Sequence, residues 1–293
     1  MGFGDIIARE IRFIEAAVAE FSFFCAHPAL ANVVDAICDI DLPDVDFGQA
    51  ASILVLPTVS PVLCFHFRGS KSRSGHHLQT VTGVQTRAVT LRPGGPVGAV
   101  LVHLKPEAAS HLLKGQMYEF TDAYIAIDDV LNANDIVLLE EMLEEADGAA
   151  ARVAHVQALL LRHLNAEPPD PVARQAAEWL RTNPTLSVHQ VASRLELSER
   201  QLLRRFEASV GTGPKQFAKV ARLGKAIAIA RRGADWTQVA GDCGFVDQSH
   251  MINAFNAMAG APPGALFGMT GGAGSRRFNA SLAMSDFCNT FFL

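Results

Sequence analysis

The sequence predicts an α+β chain: a β-rich amino-terminal domain with helices, then an all-α domain of two helix-turn-helix units joined by a long helix. Three observations carry this. Short β-like segments punctuated by Gly and Pro fill residues 52–104, and a helical pattern runs from Val172 to about Leu266. Between Ser187 and Pro263 a small module is written twice. Ser187-Val-His-Gln-Val-Ala192 returns as Asp235-Trp-Thr-Gln-Val-Ala240 at an offset of 48. Phe206, Gly211 and Pro214 return as Phe255, Gly260 and Pro263 at an offset of 49, so one residue is inserted at the second turn.

Length and composition agree with two packed domains. The chain has 293 residues, 49% hydrophobic and 19% charged, a balance that supports cores rather than disorder. The net charge of −5 conceals an asymmetry. Residues 171–270 hold 12 Lys+Arg against 7 Asp+Glu (+5), and residues 1–170 hold 11 against 22 (−11). An acidic half joined to a basic half is the pattern of a chain in which one domain meets a polyanion. The five cysteines form no close pairs, so a reducing cytoplasm is the expected location. No apolar run approaches the ~18 residues of a membrane span, and the amino terminus lacks a signal-peptide pattern. The expectation is a soluble cytoplasmic protein without a membrane partner.

Taken in order, residues 1–25 show apolar positions near helical period. Ser52–Leu56, Val62–Phe67, Leu78–Val84, Arg87–Leu91 and Val97–Leu104 read as strands, several rich in Val, Thr and Phe. Pro106 to Gly115 reads as a short helix, with proline at its start and glycine at its end. Residues 135–146 and 149–164 read as amphipathic helices. Their Ile136, Leu139, Leu143, Val153, Val156, Leu160 and Leu164 suit either helix pairing in a dimer or the domain's own core. Residues 1–165 are thus expected to form a sensor or dimerisation domain. Residues 166–171, with Glu167-Pro-Pro-Asp-Pro171, form a stiff linker. Residues 172–267 form the helical domain, and 268–293 a tail of open role.

The repeat carries the chemistry. Ser187 with Gln190, and Ser198 with Gln201, stand at capping-box spacing, which starts a helix at each. Ala192 is small enough for two helices to cross closely. Leu202 and Phe206, four apart, point inward, so Arg200, Gln201, Arg204 and Arg205 fall on the other faces. Arg pairs bidentately with guanine and Gln with adenine, and helix amino termini favour phosphate. The second copy has Asp235 and Gln238 as its cap pair and Gly244 in the turn, where a positive φ is cheap. The equivalent turn residue of the first copy is Glu196, for which a positive φ costs about 1 kcal/mol or more. Between the copies Pro214–Arg231 reads as one helix of roughly 26 Å, which spaces two recognition helices by about one turn of DNA.

Residues from about 177 to 267 resemble the DNA-binding domain of the AraC/XylS family of bacterial transcription regulators. The match runs through Leu197-Ser-Glu-Arg-Gln-Leu-Leu-Arg-Arg-Phe206, Gly211-x-x-Pro214, Gly244-Phe-Val-Asp-Gln-Ser-His250, Phe255 and Gly260-x-x-Pro263. It covers about a third of the chain. The first half is more weakly similar to the family's cupin-like sensor domains, with Leu56-Pro and Leu91-Arg-Pro-Gly as landmarks. The resemblance implies double-stranded DNA as partner. It also implies contact with RNA polymerase in an activator, and it allows a small-molecule effector and a homodimer. It implies base contacts from Arg200 and Arg204 in the first unit and from Gln248, Ser249 and the position of Asn253 in the second, with His250 beside them. Family members usually carry Arg where Asn253 stands. The first unit is therefore expected to dominate sequence reading. Arg205 is open between DNA contact and a local salt bridge.

His66, His76, His77 and His103 lie on or near β segments without ligand spacing, and Cys38 and Cys64 read as small buried hydrophobes. No metal, cofactor or catalytic residue is therefore assigned. The rival reading is a cupin-like enzyme with a helical regulatory appendage. A nucleophile–base pair, or a metal held through His66 and His103, would favour it. A DNA-binding module without an effector is the third possibility.

Overall fold

A computed structural model of the chain describes residues 20–43, 53–69, 71, 75–91, 96–165, 169–231 and 235–267. Eight strands fill the first half: β1 (Glu20–Phe24), β2 (Val34–Leu42), β3 (Ile53–Val55), β4 (Val62–Arg68), β5 (Thr80–Thr82), β6 (Val89–Leu91), β7 (Val97–Leu104) and β8 (Tyr124–Ala126). Six form an antiparallel sheet in the order β1-β2-β7-β4-β5-β8, and β3 pairs with β6 in a second sheet. β4 alternates, with Leu63, Phe65 and Phe67 inward. β7 lies between β2 and β4 and is buried along most of its length, which its apolar run Val97-Gly-Ala-Val-Leu-Val reflects.

Two helices, α1 (Ala133–Glu145) and α2 (Ala149–His163), complete this half. Ile136, Leu139, Leu143, Val153, Val156 and Leu160 all enter the core with Leu63, Phe65 and Val102, and Leu164 packs against it. The residues that suited helix pairing are therefore spent on the domain's own core. The outer faces keep Val137, Leu138 and Leu161 exposed.

Several expectations are corrected here. Residues 20–24, read as the end of a helix, form β1, and the first 19 lie outside the described residues. The nine-residue strand β2 was not anticipated, because its Asp35, Asp39 and Asp41 break an apolar pattern. Asp39 explains itself in three dimensions: Arg152 of α2 donates to both of its carboxylate oxygens at 2.7 Å, and the guanidinium lies 4.1 Å from the Phe67 ring centre. The hydrogen bonds it donates to Asp39 raise the Arg152 pKa further, and a buried ion pair of this kind persists only with both partners present. The segment after Pro106 is a 3-10 helix ending at His111. Pro171, read as the end of the linker, is the first residue of a helix that Asp170 caps by accepting from the Val172 and Ala173 amides. The tail from 268 lies outside the described residues.

Among the described residues the second half carries helices only: α3 (Pro171–Thr182), α4 (Val188–Arg194), α5 (Glu199–Val210), α6 (Pro214–Arg231), α7 (Trp236–Asp242), α8 (Gln248–Ala259) and α9 (Pro263–Phe267). Helix α6 is shared. Its Phe217, Ala218, Val220 and Ala221 join the core of α3, α4 and α5, with Phe206 edge-on to Phe217 at 5.3 Å. Its Leu223, Ala226 and Ile227 join the core of α7 and α8. The first half is fastened to both clusters. Val59 and Val84 enter the former and Leu56 the latter. Thr121 Oγ1 donates to the Gly211 carbonyl at 2.9 Å, and the Ala88 amide donates to the Met258 carbonyl at 2.7 Å.

The two turns repeat with the offset of 48. Leu197 N–H donates to the Ala192 carbonyl and Phe245 N–H to that of Ala240, at 3.0 and 2.9 Å. The preceding residues are Glu196 (φ 55°) and Gly244 (φ 68°). A Cβ on Gly244 would also lie 2.3 Å from Thr185 Cγ2. Opposite substitutions should therefore have opposite effects. Glu196→Gly is expected to raise stability by about 1 kcal/mol in urea unfolding. Gly244→Ala is expected to lower it by at least as much.

Candidate nucleic-acid interface

Each unit presents a second helix whose amino terminus is finished by side chains. In the first, both capping boxes form: Ser187 Oγ accepts from the Gln190 amide while Gln190 Oε1 accepts from the Ser187 amide, and Ser198 and Gln201 repeat the arrangement. Leu202 and Phe206 are fully buried. Their burial turns Arg200, Gln201 and Arg204 to solvent on α5. No ion pair involves Arg200 or Arg204 among the described residues. Gln201 spends its carbonyl oxygen on Ser198, at 3.0 Å from the amide and 2.8 Å from the hydroxyl.

Arg205 is placed differently. Its Nε and Nη2 donate to the two carboxylate oxygens of Asp170 at 2.8 and 2.6 Å, tying α5 to the cap of α3. The local salt bridge held open for this residue is present. Burial alone would raise the Asp170 pKa. The hydrogen bonds from Arg205 and from the Val172 and Ala173 amides outweigh it and hold the carboxyl below its ordinary value.

In the second unit Asp247 caps α8 by accepting from the His250 amide at 2.7 Å. The His250 ring lies edge-on to Phe245 at 5.5 Å, and its Nδ1 accepts from the Val246 amide at 3.3 Å. His250 therefore closes the turn as well as facing solvent. Gln248, Ser249 and Asn253 are exposed on the same helix, buried on its other side by Met251 and Phe255. Asn256-Ala-Met-Ala259 carries the helix to its end without a basic residue. Helix α5 thus offers two unpaired guanidinium groups, and α8 offers amides, a hydroxyl and an imidazole.

One residue at this surface escaped the sequence reading. The residue inserted between the two offsets is Val246, and its 86% exposure makes it the most exposed large hydrophobic among the described residues. It stands immediately before the cap of α8. The change of offset from 48 to 49 marked its position, but not its outward aim.

The basic residues of α6 divide. Lys215 and Lys219 are exposed. Arg222 instead donates to the Pro184 carbonyl at 3.0 Å, and its guanidinium lies 5.5 Å from the Phe245 ring centre. It joins the loop before the first unit to the turn of the second.

In the first half, His66 is opposite Ala99 and His103 opposite Val62 on neighbouring strands. Four residues of offset, at about 3.3 Å each, keep them from sharing an ion. Burial pushes the His103 pKa down to about 3. Cys64 Sγ lies 3.1 Å from His66 Nε2, so the thiol is a half-buried hydrogen-bonding group rather than a fully buried hydrophobe. Burial, and then neighbouring His77, lowers the His66 pKa and leaves the ring neutral beside the thiol. His77 itself lies against Glu140 and Glu144 of α1.

A family model described as a helix-turn-helix domain matches residues 191–269. A second, described as a domain of unknown function (DUF6597), matches residues 23–126. No curated protein matches the chain. Among solved structures, an apo variant of ToxT from Vibrio cholerae strain SCE256 is similar at TM-score 0.43 and 13% identity, covering 78% of this chain and 95% of that one. ToxT from Vibrio cholerae O395 is similar at TM-score 0.42 and 13% identity, covering 86% and 99%.

The Asp170–Arg205 pair generates a pH-dependent prediction. A depressed folded pKa gives stability that is present above the unfolded value, near 3.8, and is lost as pH falls through the folded one. Arg205→Ala should lower the melting temperature at pH 7 by an amount matching about 0.5–1 kcal/mol. The gap from the parent protein should narrow progressively as melting is repeated at pH values falling below 3.8.

Proposed function

We propose that the helical half of the chain is an AraC/XylS-type DNA-binding domain, that the protein is a DNA-binding transcription regulator, and that it reads its operator chiefly through Arg200 and Arg204. The observation that carries this is the contrast between the two outward faces. Helix α5 exposes two guanidinium groups with no ion-pair partner among the described residues, whereas α8 exposes none. A bidentate Arg–guanine contact discriminates against the wrong base by about 1–3 kcal/mol. Gln201, with its amide nitrogen still able to donate, lies beside them.

The second unit positions the complex. Gln248, Ser249 and the amino terminus of α8 suit phosphate and base-edge hydrogen bonds, Asn253 suits adenine, and exposed Val246 suits a thymine methyl group. Arg205 and His250 act in this reading by holding the two helices in place. Lys215 and Lys219 supply phosphate contacts from α6.

The first half acts as the sensing part of a non-enzymic regulator, and its segments 54–59 and 84–88 carry an effector's influence to both units. Self-association would use the exposed Val137, Leu138 and Leu161 rather than the inward residues of α1 and α2. Contact with RNA polymerase belongs to the same reading, with the protein as an activator in the reducing cytoplasm.

The test is fluorescence anisotropy on an operator selected from random-sequence DNA. Arg204→Ala is expected to weaken binding by about 1–3 kcal/mol and to relax preference at one base pair. Asn253→Ala is expected to cost less. Equal losses from the two would overturn the ranking. Binding should also fall steeply with salt through counterion release, and a flat response would contradict phosphate tracking by the basic half.

A further inference from the structure

The sensing half brings together a set of side chains that sequence spacing does not join. Glu140 and Glu144 stand one turn apart on α1, so both carboxylates leave the same face. Against them lies the segment after Gly75, 63 residues earlier. The His77 amide donates to Glu140 Oε1 at 2.8 Å, His77 Nε2 lies 3.4 Å from Glu144 Oε1, and His76 Nδ1 lies 3.3 Å from Glu140 Oε2. One ligand atom each from His77, Glu140 and Glu144 fall within 4.8 Å of one another.

We propose that His77, Glu140 and Glu144 form a binding site for a divalent transition-metal ion. The first argument is charge. The Glu140 side chain is only 5% exposed and shares its helix face with the core residues Ile136 and Leu143. Burying a carboxylate in such surroundings is costly without compensation. Two carboxylates converge here, and the ammonium beside them is that of Lys71, whose Nζ lies 2.5 Å from Glu144 Oε1. A divalent ion balances the pair in full and takes the place of that ammonium.

The second argument is donor chemistry. An imidazole nitrogen with two carboxylate oxygens suits zinc, cobalt, nickel or manganese, with water in the remaining positions. Magnesium and calcium favour all-oxygen shells and are the wrong match. The third argument is rigidity. The buried Glu140 carboxylate is held by the His77 amide, the His77 ring is itself buried, and Glu144, 38% exposed, has the freedom to close the last ångström or so. The ion would clamp α1 to the connection between β4 and β5, inside the half of the chain to which a signal is assigned. The inference rests on the first half alone, so its outcome is separate from that of the operator experiments.

Full-length protein, stripped of metal with a chelator, would be titrated with zinc alone and then with magnesium alone by calorimetry. The expected result is one zinc ion per chain and no heat from magnesium. Glu144→Gln, at a half-exposed position that leaves the fold intact, should weaken zinc binding by about tenfold or more. Lys71→Ala should tighten it several-fold by removing the competing cation, a gain that adventitious surface binding would not show. His189→Ala, which removes an exposed histidine paired with Glu199 on the helical half, should change nothing. Absence of zinc binding, or binding that ignores both Glu144→Gln and Lys71→Ala, would overturn the proposal.

Discussion

Helix α6 is the constraint on which the arrangement of the DNA-binding half depends. Its first two turns and a half complete the core of the first unit, and its later turns complete that of the second. Neither unit of two short helices could bury its apolar face alone, so the shared helix is both spine and core. At 18 residues and about 1.5 Å per residue it spans roughly 27 Å. Arg222 adds a polar staple at its midpoint, bonded to Pro184 and stacked toward Phe245. The separation of the two recognition helices is thus set by packing along one rigid rod.

The first half is packed against that rod. Leu56, Val59 and Val84 reach both apolar clusters, and hydrogen bonds join Thr121 to Gly211 and Ala88 to Met258. Gly211 shows how close the approach is: a Cβ there would lie 2.2 Å from the Met117 carbonyl oxygen. The glycine repeated at Gly260 meets nothing within 4 Å. Glycine ends both recognition helices in a left-handed conformation, but at the first unit it also admits the backbone of the other domain.

What was legible in the sequence was local. The capping boxes of the first unit, the bounds of α6 and the burial of Leu202 and Phe206 all follow from interactions within a few residues. The strands of apolar alternation were readable for the same reason. What was not legible depends on distant partners. β2 carries three aspartates because distant arginines answer them: Arg152 pairs with Asp39, Arg68 with Asp41 and Arg181 with Asp35. Arg205 is occupied by Asp170, 35 residues before it. His77 meets α1 only when the sheet has folded. Polar residues in long-range pairs look like loop or solvated face until the partner is known.

If both units read DNA from one rigid helix, they engage one face of the duplex together. Hydroxyl-radical footprinting of the full-length protein on its operator tests it most directly. Two protected patches on the same face are expected, centred about one helical turn (roughly 10 base pairs) apart. A single patch, confined to the reach of one unit, would contradict it.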